Sequence, residues 1–210
     1  MKQLLQLILL ILIASAAHAE QKAITDTGEE IVIYENGTWK YLNEATEAAD
    51  IALETNPESF TKSATASFLV KSKKNHAGFW LDTNKWQFKP AAKNDEAEYE
   101  LTLKGEDLYG LFLTEKMEIP METLTEIALE NAKAVAPDIH ITRREFRIVN
   151  GKKVIYMEMS GSMKGMKITY LGCYHSDTSG TTQFLVYTGT SLVGKYRKEI
   201  KELLNGFDLQ

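Results

Sequence analysis

Apolar and polar residues alternate with a period of two along most of the chain from Phe68 to Thr188, as in half-buried β-strands. Short turns rich in Gly, Asn and Asp separate the runs, and these residues tolerate positive φ angles. Because such turns join neighbouring strands, we expect a mostly antiparallel sheet. The predicted strands are 78–81, 85–88, 98–103, 108–113, 139–149, 153–160, 166–174 and 181–188.

Two segments have the longer period of an amphipathic helix. The first follows Pro120 and ends at Pro137, and the second follows Ser191, a predicted N-cap, and ends at Gly206. The apolar stripe of the first helix is predicted at Leu124, Ile127, Ala128, Ala132 and Val135. The order strands, helix, strands, helix predicts an α+β fold in which helices cover a mostly antiparallel sheet.

A smaller β pattern precedes this region. Residues 22–42 contain three short apolar runs with a turn at Asn36-Gly37, the strongest short hairpin signal. We expect a three-stranded β-meander module over residues 20–43. Its small sheet has edges that can pair with another chain, so Trp39 and Tyr41 are candidate partner-binding residues.

The segment 44–66 changes character. Acidic residues alternate with alanines up to Pro57, and small polar residues follow. The pattern predicts an acidic helix and a linker between the meander and a main domain over 67–210.

The first nineteen residues have the organisation of a secretory signal. Lys2 precedes a run over 4–13 that is apolar apart from Gln6, and Ala17-His18-Ala19 has the form that signal peptidase cleaves. About ten apolar residues are too few for the roughly 20 that span a bilayer. We therefore expect cleavage between Ala19 and Glu20, a periplasmic or secreted protein, and no membrane span in the mature form.

The charge and the cysteine content of the chain exclude some binding partners and some covalent chemistry. The formal net charge of −5 argues against nucleic acid, which rewards clustered Lys and Arg. Cys173 is the single cysteine, which excludes an intrachain disulfide. We expect a buried, unreactive thiol; the alternative is a nucleophile paired with His175, two residues away on the same face of a strand.

Two further constellations carry candidate chemistry. His175 and Asp177 suggest a hydrolase site. Together with His140, they could also form a metal site assembled from residues that are distant in the sequence. Four of the seven methionines fall within ten positions, and soft thioethers select Cu(I), although methionine also fills irregular gaps in cores. The candidate soft-metal residues are Met157, Met159, Met163 and Met166.

Several local runs resemble the PsbP/DcrB-like family over about residues 68–207. They are Gly78–Leu81 followed by the Trp86 strand, Ile119–Leu124 opening the first helix, the hairpin around Asn150-Gly151, and Leu203–Phe207 closing the last helix. The resemblance implies an α/β/α sandwich and non-enzymatic roles, such as partners of larger complexes. It carries over no functional residue and no cofactor.

Together these features predict a non-catalytic binding or assembly protein outside the cytoplasm. The expected partner is another envelope protein. The alternatives are a small-molecule or soft-metal binding protein, and a hydrolase with a site near His175 and Asp177.

Overall fold

The computed structural model describes residues 21–24, 30–33, 39–41, 53–92 and 96–210. The predicted signal peptide, its cleavage site and the first part of the predicted acidic helix lie outside these ranges. The chain divides into two units, Met1–Ala49 and Asp50–Gln210.

The first unit contains three short strands. They are β1 (Gln21–Ile24), β2 (Glu30–Ile33) and β3 (Trp39–Tyr41). They pair antiparallel in chain order. The predicted turns fall outside the described residues, and the role of these strands as a separate module stays a prediction.

The second unit contains the remaining elements. They are β4 (Glu54–Phe60), β5 (Phe68–Lys71), β6 (Ala77–Leu81), β7 (Trp86–Pro90), β8 (Ala97–Leu103), β9 (Tyr109–Glu115), α1 (Met121–Lys133), β10 (His140–Val149), β11 (Lys152–Met163), β12 (Met166–Asp177), β13 (Gly180–Gly189), α2 (Val193–Leu204) and β14 (Phe207–Leu209). An eight-stranded sheet has the order β4-β10-β11-β12-β13-β9-β8-β7, and a three-stranded sheet has the order β14-β6-β5. The pairs are antiparallel except β4 with β10. The fold is thus α+β, as predicted.

Alternation along the strands gives the large sheet two buried faces. On β13, Phe184 and Val186 enter the core beneath α2, whereas Leu185 enters the core beneath α1. The α2 side is aromatic: the Phe79 ring lies 4.8 Å from those of Phe112 and Phe184. Within the described residues, no helix is long and apolar enough to cross a membrane.

Strand β4 replaces part of the predicted acidic helix and linker over 44–66. It pairs parallel with β10 and buries Phe60, so the large sheet includes residues before the predicted domain start at 67. Pro57 fits because an edge strand needs no N–H there. Asn56 Oδ1 accepts the Glu58 N–H at 2.9 Å and bends the strand where its register with β10 shifts. This long-range pairing overrides the local helical pattern.

The helices also differ from their predicted details. In α1 the buried residues include Thr125 and Leu129, whereas Ile127 is 43% exposed and Val135 lies beyond the helix end. Ser191 does not cap α2, because a 3₁₀ turn over Thr190–Leu192 precedes that helix.

Candidate functional site

The predicted hydrolase pair lies at the end of β12. The His175 ring is nearly buried; its Nδ1 lies 2.9 Å from the Lys153 carbonyl and its Nε2 lies 3.4 Å from Asp177 Oδ2. Asp177 Oδ1 also accepts the Ser179 N–H at 2.7 Å. Burial alone raises the pKa of Asp177, but the hydrogen bonds from Ser179 and His175 outweigh it and lower that pKa.

This geometry holds a turn together. Both ring nitrogens of His175 and both oxygens of Asp177 have partners, which lie on β11, at the end of β12 and in the turn that follows it. An open depression of about 380 Å³ lies nearby, lined by Lys73, Lys74, Asn75, His76, Thr178 and Ser179. Its lining is adjacent to the pair but does not include it. The hydrolase alternative stays a prediction.

The four methionines of the predicted soft-metal group differ widely in their exposure to solvent. Met157 and Met159 are 0% and 2% exposed in the core beneath α1, Met163 is half-buried against that core, and Met166 is 61% exposed. Met163 and Met166 face each other across the β11–β12 hairpin. Two members therefore fill the core, as thioethers do in irregular packing. Soft-metal binding stays a prediction, which a Cu(I) titration against a chromogenic chelator tests.

The distant metal site is not assembled. His140 begins β10, opposite Ser160, and its Nδ1 lies 3.1 Å from the Asp138 carbonyl. His175 lies six residues further along β12 than Thr169, the partner of Ser160. Within the described ranges, no three His, Cys, Asp or Glu side chains group as metal ligands.

The structure describes the surroundings of Cys173 but not the side chains of the two N-terminal aromatic residues. Cys173 is 1% exposed in the core beneath α2, and burial raises the pKa of its thiol to about 12. The expectation of a buried thiol is thus confirmed. Trp39 and Tyr41 lie in β3, but their side chains are outside the described part of the chain.

A feature that sequence reasoning missed lies on the α1 face of the large sheet. Tyr109, Tyr187 and Tyr170 stand side by side on β9, β13 and β12, in direct cross-strand register. The Tyr109 and Tyr187 ring centroids are 5.5 Å apart, and those of Tyr187 and Tyr170 are 5.4 Å apart. We call these three residues the tyrosine ladder. Helix α1 packs mainly on β11 and β12, so the row extends past it; Tyr109 is 36% exposed.

The three ladder hydroxyls differ in their hydrogen-bond partners. The Tyr109 hydroxyl donates to Asp107 Oδ1 at 3.3 Å, whereas the hydroxyls of Tyr170 and Tyr187 have no partner among the described residues. Desolvation raises the pKa of all three hydroxyls, and the Glu100 carboxylate raises that of Tyr187 further. All three hydroxyls therefore remain protonated near neutral pH, and those of Tyr170 and Tyr187 can donate to a ligand.

Comparison with known proteins identifies the fold. No protein-family model and no curated protein matches the chain. The solution structure of cyanobacterial PsbP (CyanoP) from Synechocystis sp. PCC 6803 is similar, with a TM-score of 0.54 and 11% identity over 70% of this chain and 95% of that one. The crystal structure of PA94, a protein of unknown function from Pseudomonas aeruginosa, is also similar, with a TM-score of 0.41 and 9% identity over 64% of this chain and 91% of that one. The chain has a PsbP-like α+β fold, which confirms the predicted resemblance at the level of the fold.

Proposed function

We propose that this chain is a non-catalytic binding or assembly protein that acts outside the cytoplasm. The observation that carries the proposal is the tyrosine ladder. Tyrosine rings on a half-exposed sheet face, two of them with hydroxyls that have no partner among the described residues, are typical of protein-binding surfaces, where tyrosine is enriched. The PsbP-like fold adds support, since the resemblance to the PsbP/DcrB-like family implies non-enzymatic roles.

The location outside the cytoplasm rests on the first nineteen residues. A basic start, a short apolar run and a small-residue cleavage sequence together favour export and cleavage after Ala19. The envelope then supplies the partner, which we take to be another envelope protein.

The N-terminal strands offer a second docking surface. A sheet of three short strands is marginally stable alone, and the edge of such a sheet can pair with a strand of a partner. Trp39 and Tyr41 on β3 are the residues we propose for this contact.

Crosslinking in the native envelope tests the proposal. Three forms are compared: the full chain, a Tyr187→Ala variant, and a form that lacks residues 20–43 after export. We expect the full chain to recover one defined partner, and each change to lower its yield. The proposal is wrong if the full chain recovers no partner while the purified protein turns over a substrate.

A further inference from the structure

The tyrosine ladder forms one end of a longer row of cross-strand neighbours. Gln87, Thr102 and Tyr109 are register neighbours on β7, β8 and β9, and Tyr187 and Tyr170 continue the row on β13 and β12. Leu101 and Leu103 point into the core beneath α2, so alternation places Thr102 on the ladder face. Five strands span roughly 19 Å between the outer members, which is the length of about six extended residues.

The charges around this row favour a cationic ligand over an anionic one. Aromatic ring faces carry negative potential, and the carboxylates of Glu100 and Asp107 lie beside the ladder. Lys89 pairs with Glu100 at 3.1 Å, but its side chain is 67% exposed, so the pair is worth little and can be exchanged. An anionic ligand would meet like charge here, and the net charge of −5 adds to that repulsion.

We propose that the tyrosine ladder binds an arginine or lysine side chain carried on an extended segment of the partner protein. The cation lies against the rings and within reach of Glu100, and the hydroxyls of Tyr170 and Tyr187 donate to carbonyl groups of that segment. This assignment rests on the proposed binding function and names the chemistry of the partner.

Peptide titration by NMR, with the tyrosine side-chain signals as readout, tests the charge. The probes are an acetylated, amidated glycine–arginine repeat, the same repeat with citrulline in place of arginine, and a proline-rich repeat without charge. Citrulline keeps the shape of arginine but has no charge. We expect saturable shifts of the ladder signals with the arginine peptide alone, weakened by added salt.

Four variants measure separately what the Tyr187 ring and the neighbouring charges contribute to peptide binding. Tyr187→Leu removes the central ring and should weaken arginine-peptide binding roughly 2- to 30-fold, whereas Tyr187→Phe keeps the ring and most of the affinity. Glu100→Gln should also weaken binding, and Lys89→Gln should strengthen it because it frees Glu100. Circular dichroism and thermal unfolding establish that each variant is folded before its affinity is compared.

The outcomes distinguish this inference from the proposed function. Equal binding of the citrulline or proline-rich peptide overturns the cation assignment, as does an unchanged affinity in folded Tyr187→Leu. Absence of saturable shifts up to millimolar arginine peptide overturns it too. In each case, a partner recovered from the envelope in a Tyr187-dependent way leaves the binding function standing.

Discussion

Glu145 carries a charge in an enclosed position near the edge of the large sheet. Its side chain is 13% exposed and accepts hydrogen bonds from Arg147 Nε at 2.5 Å, Arg143 at 3.0 Å and Asn56 Nδ2 at 3.1 Å. Burial alone raises the pKa of this carboxyl, but the bonds from Arg147 and Asn56 outweigh it and lower the pKa. The charged form of Glu145 therefore stabilises the fold and ties β4 to β10.

Replacing Glu145 by Gln tests this ion pair. A folded pKa below the unfolded value of about 4.3 contributes stability above that pH and loses it as the pH falls through the folded pKa. Glu145→Gln should lower the free energy of unfolding at pH 7 by about 1–3 kcal/mol. The deficit should shrink as the pH falls below about 4. Urea denaturation measures it.

Glu126→Gln on the exposed face of α1 is the matched control and should have little effect. A deficit in Glu145→Gln that stays constant from neutral to acid pH would contradict the account.

The thiol of Cys173 should be inert in the folded protein. It is buried beneath α2, and its pKa is raised to about 12, so little thiolate exists at neutral pH. Labelling by a chromogenic disulfide reagent should be slow in buffer and fast in denaturant. Equal rates in the two conditions would mean that the thiol is exposed.

At the scale of elements, the turn between β10 and β11 connects three parts of the fold. Asn150 has a φ of 48°, and its amide donates to the carbonyls of Asn205 at 2.9 Å and Phe207 at 2.7 Å. Its Oδ1 accepts the Lys62 N–H at 3.0 Å. One side chain thus joins the β10–β11 turn to the segment after β4 and to the link between α2 and β14.

Asn150→Gly keeps the backbone geometry and removes these bonds. Glycine adopts positive φ without strain, so a loss of stability must come from the side chain. We expect a loss of about 2–3 kcal/mol in urea denaturation, given about 1 kcal/mol per neutral hydrogen bond.

Lys164 is the matched control. It has a φ of 50° in the β11–β12 turn, and among the described residues its side chain has no hydrogen-bond partner. Lys164→Gly should be neutral or slightly stabilising, because glycine relieves the left-handed strain. Equal losses in the two glycine variants would contradict the structural role of Asn150.

Local signals account for the elements that were predicted well. The Asn150-Gly151 turn and the alternating runs around it predict β10 and β11 within a few residues. Strand β4 could not be predicted, because its pairing with β10 joins residues about ninety positions apart. The tyrosine ladder could not be predicted for the same reason, because Tyr109 and Tyr187 become neighbours only through the pairing of β9 with β13.

At the scale of the whole molecule, candidate chemistry was harder to predict than the fold. His175 and Asp177 do approach each other, as two residues on one strand face must. The methionine group was predicted as one cluster, but its members range from fully buried to 61% exposed. A composition signal cannot distinguish core packing from a surface site, because both use the same side chains.

The proposed export determines the first residue of the mature chain. If the signal is cleaved after Ala19, the protein recovered from the envelope begins at Glu20. Intact-mass analysis measures this directly. A mass that retains residues 1–19 would contradict the proposed location.

Site-specific photocrosslinking in the living envelope tests the central claim, partner binding at the tyrosine ladder, most directly. A benzophenone amino acid replaces Tyr187 in one form and Lys198 in another; the Lys198 side chain is 75% exposed on α2, on the opposite face of the sheet. The account predicts one defined crosslinked partner from position 187 and none of that product from position 198. The same product from both positions, or none from position 187 in a folded and exported protein, would contradict it.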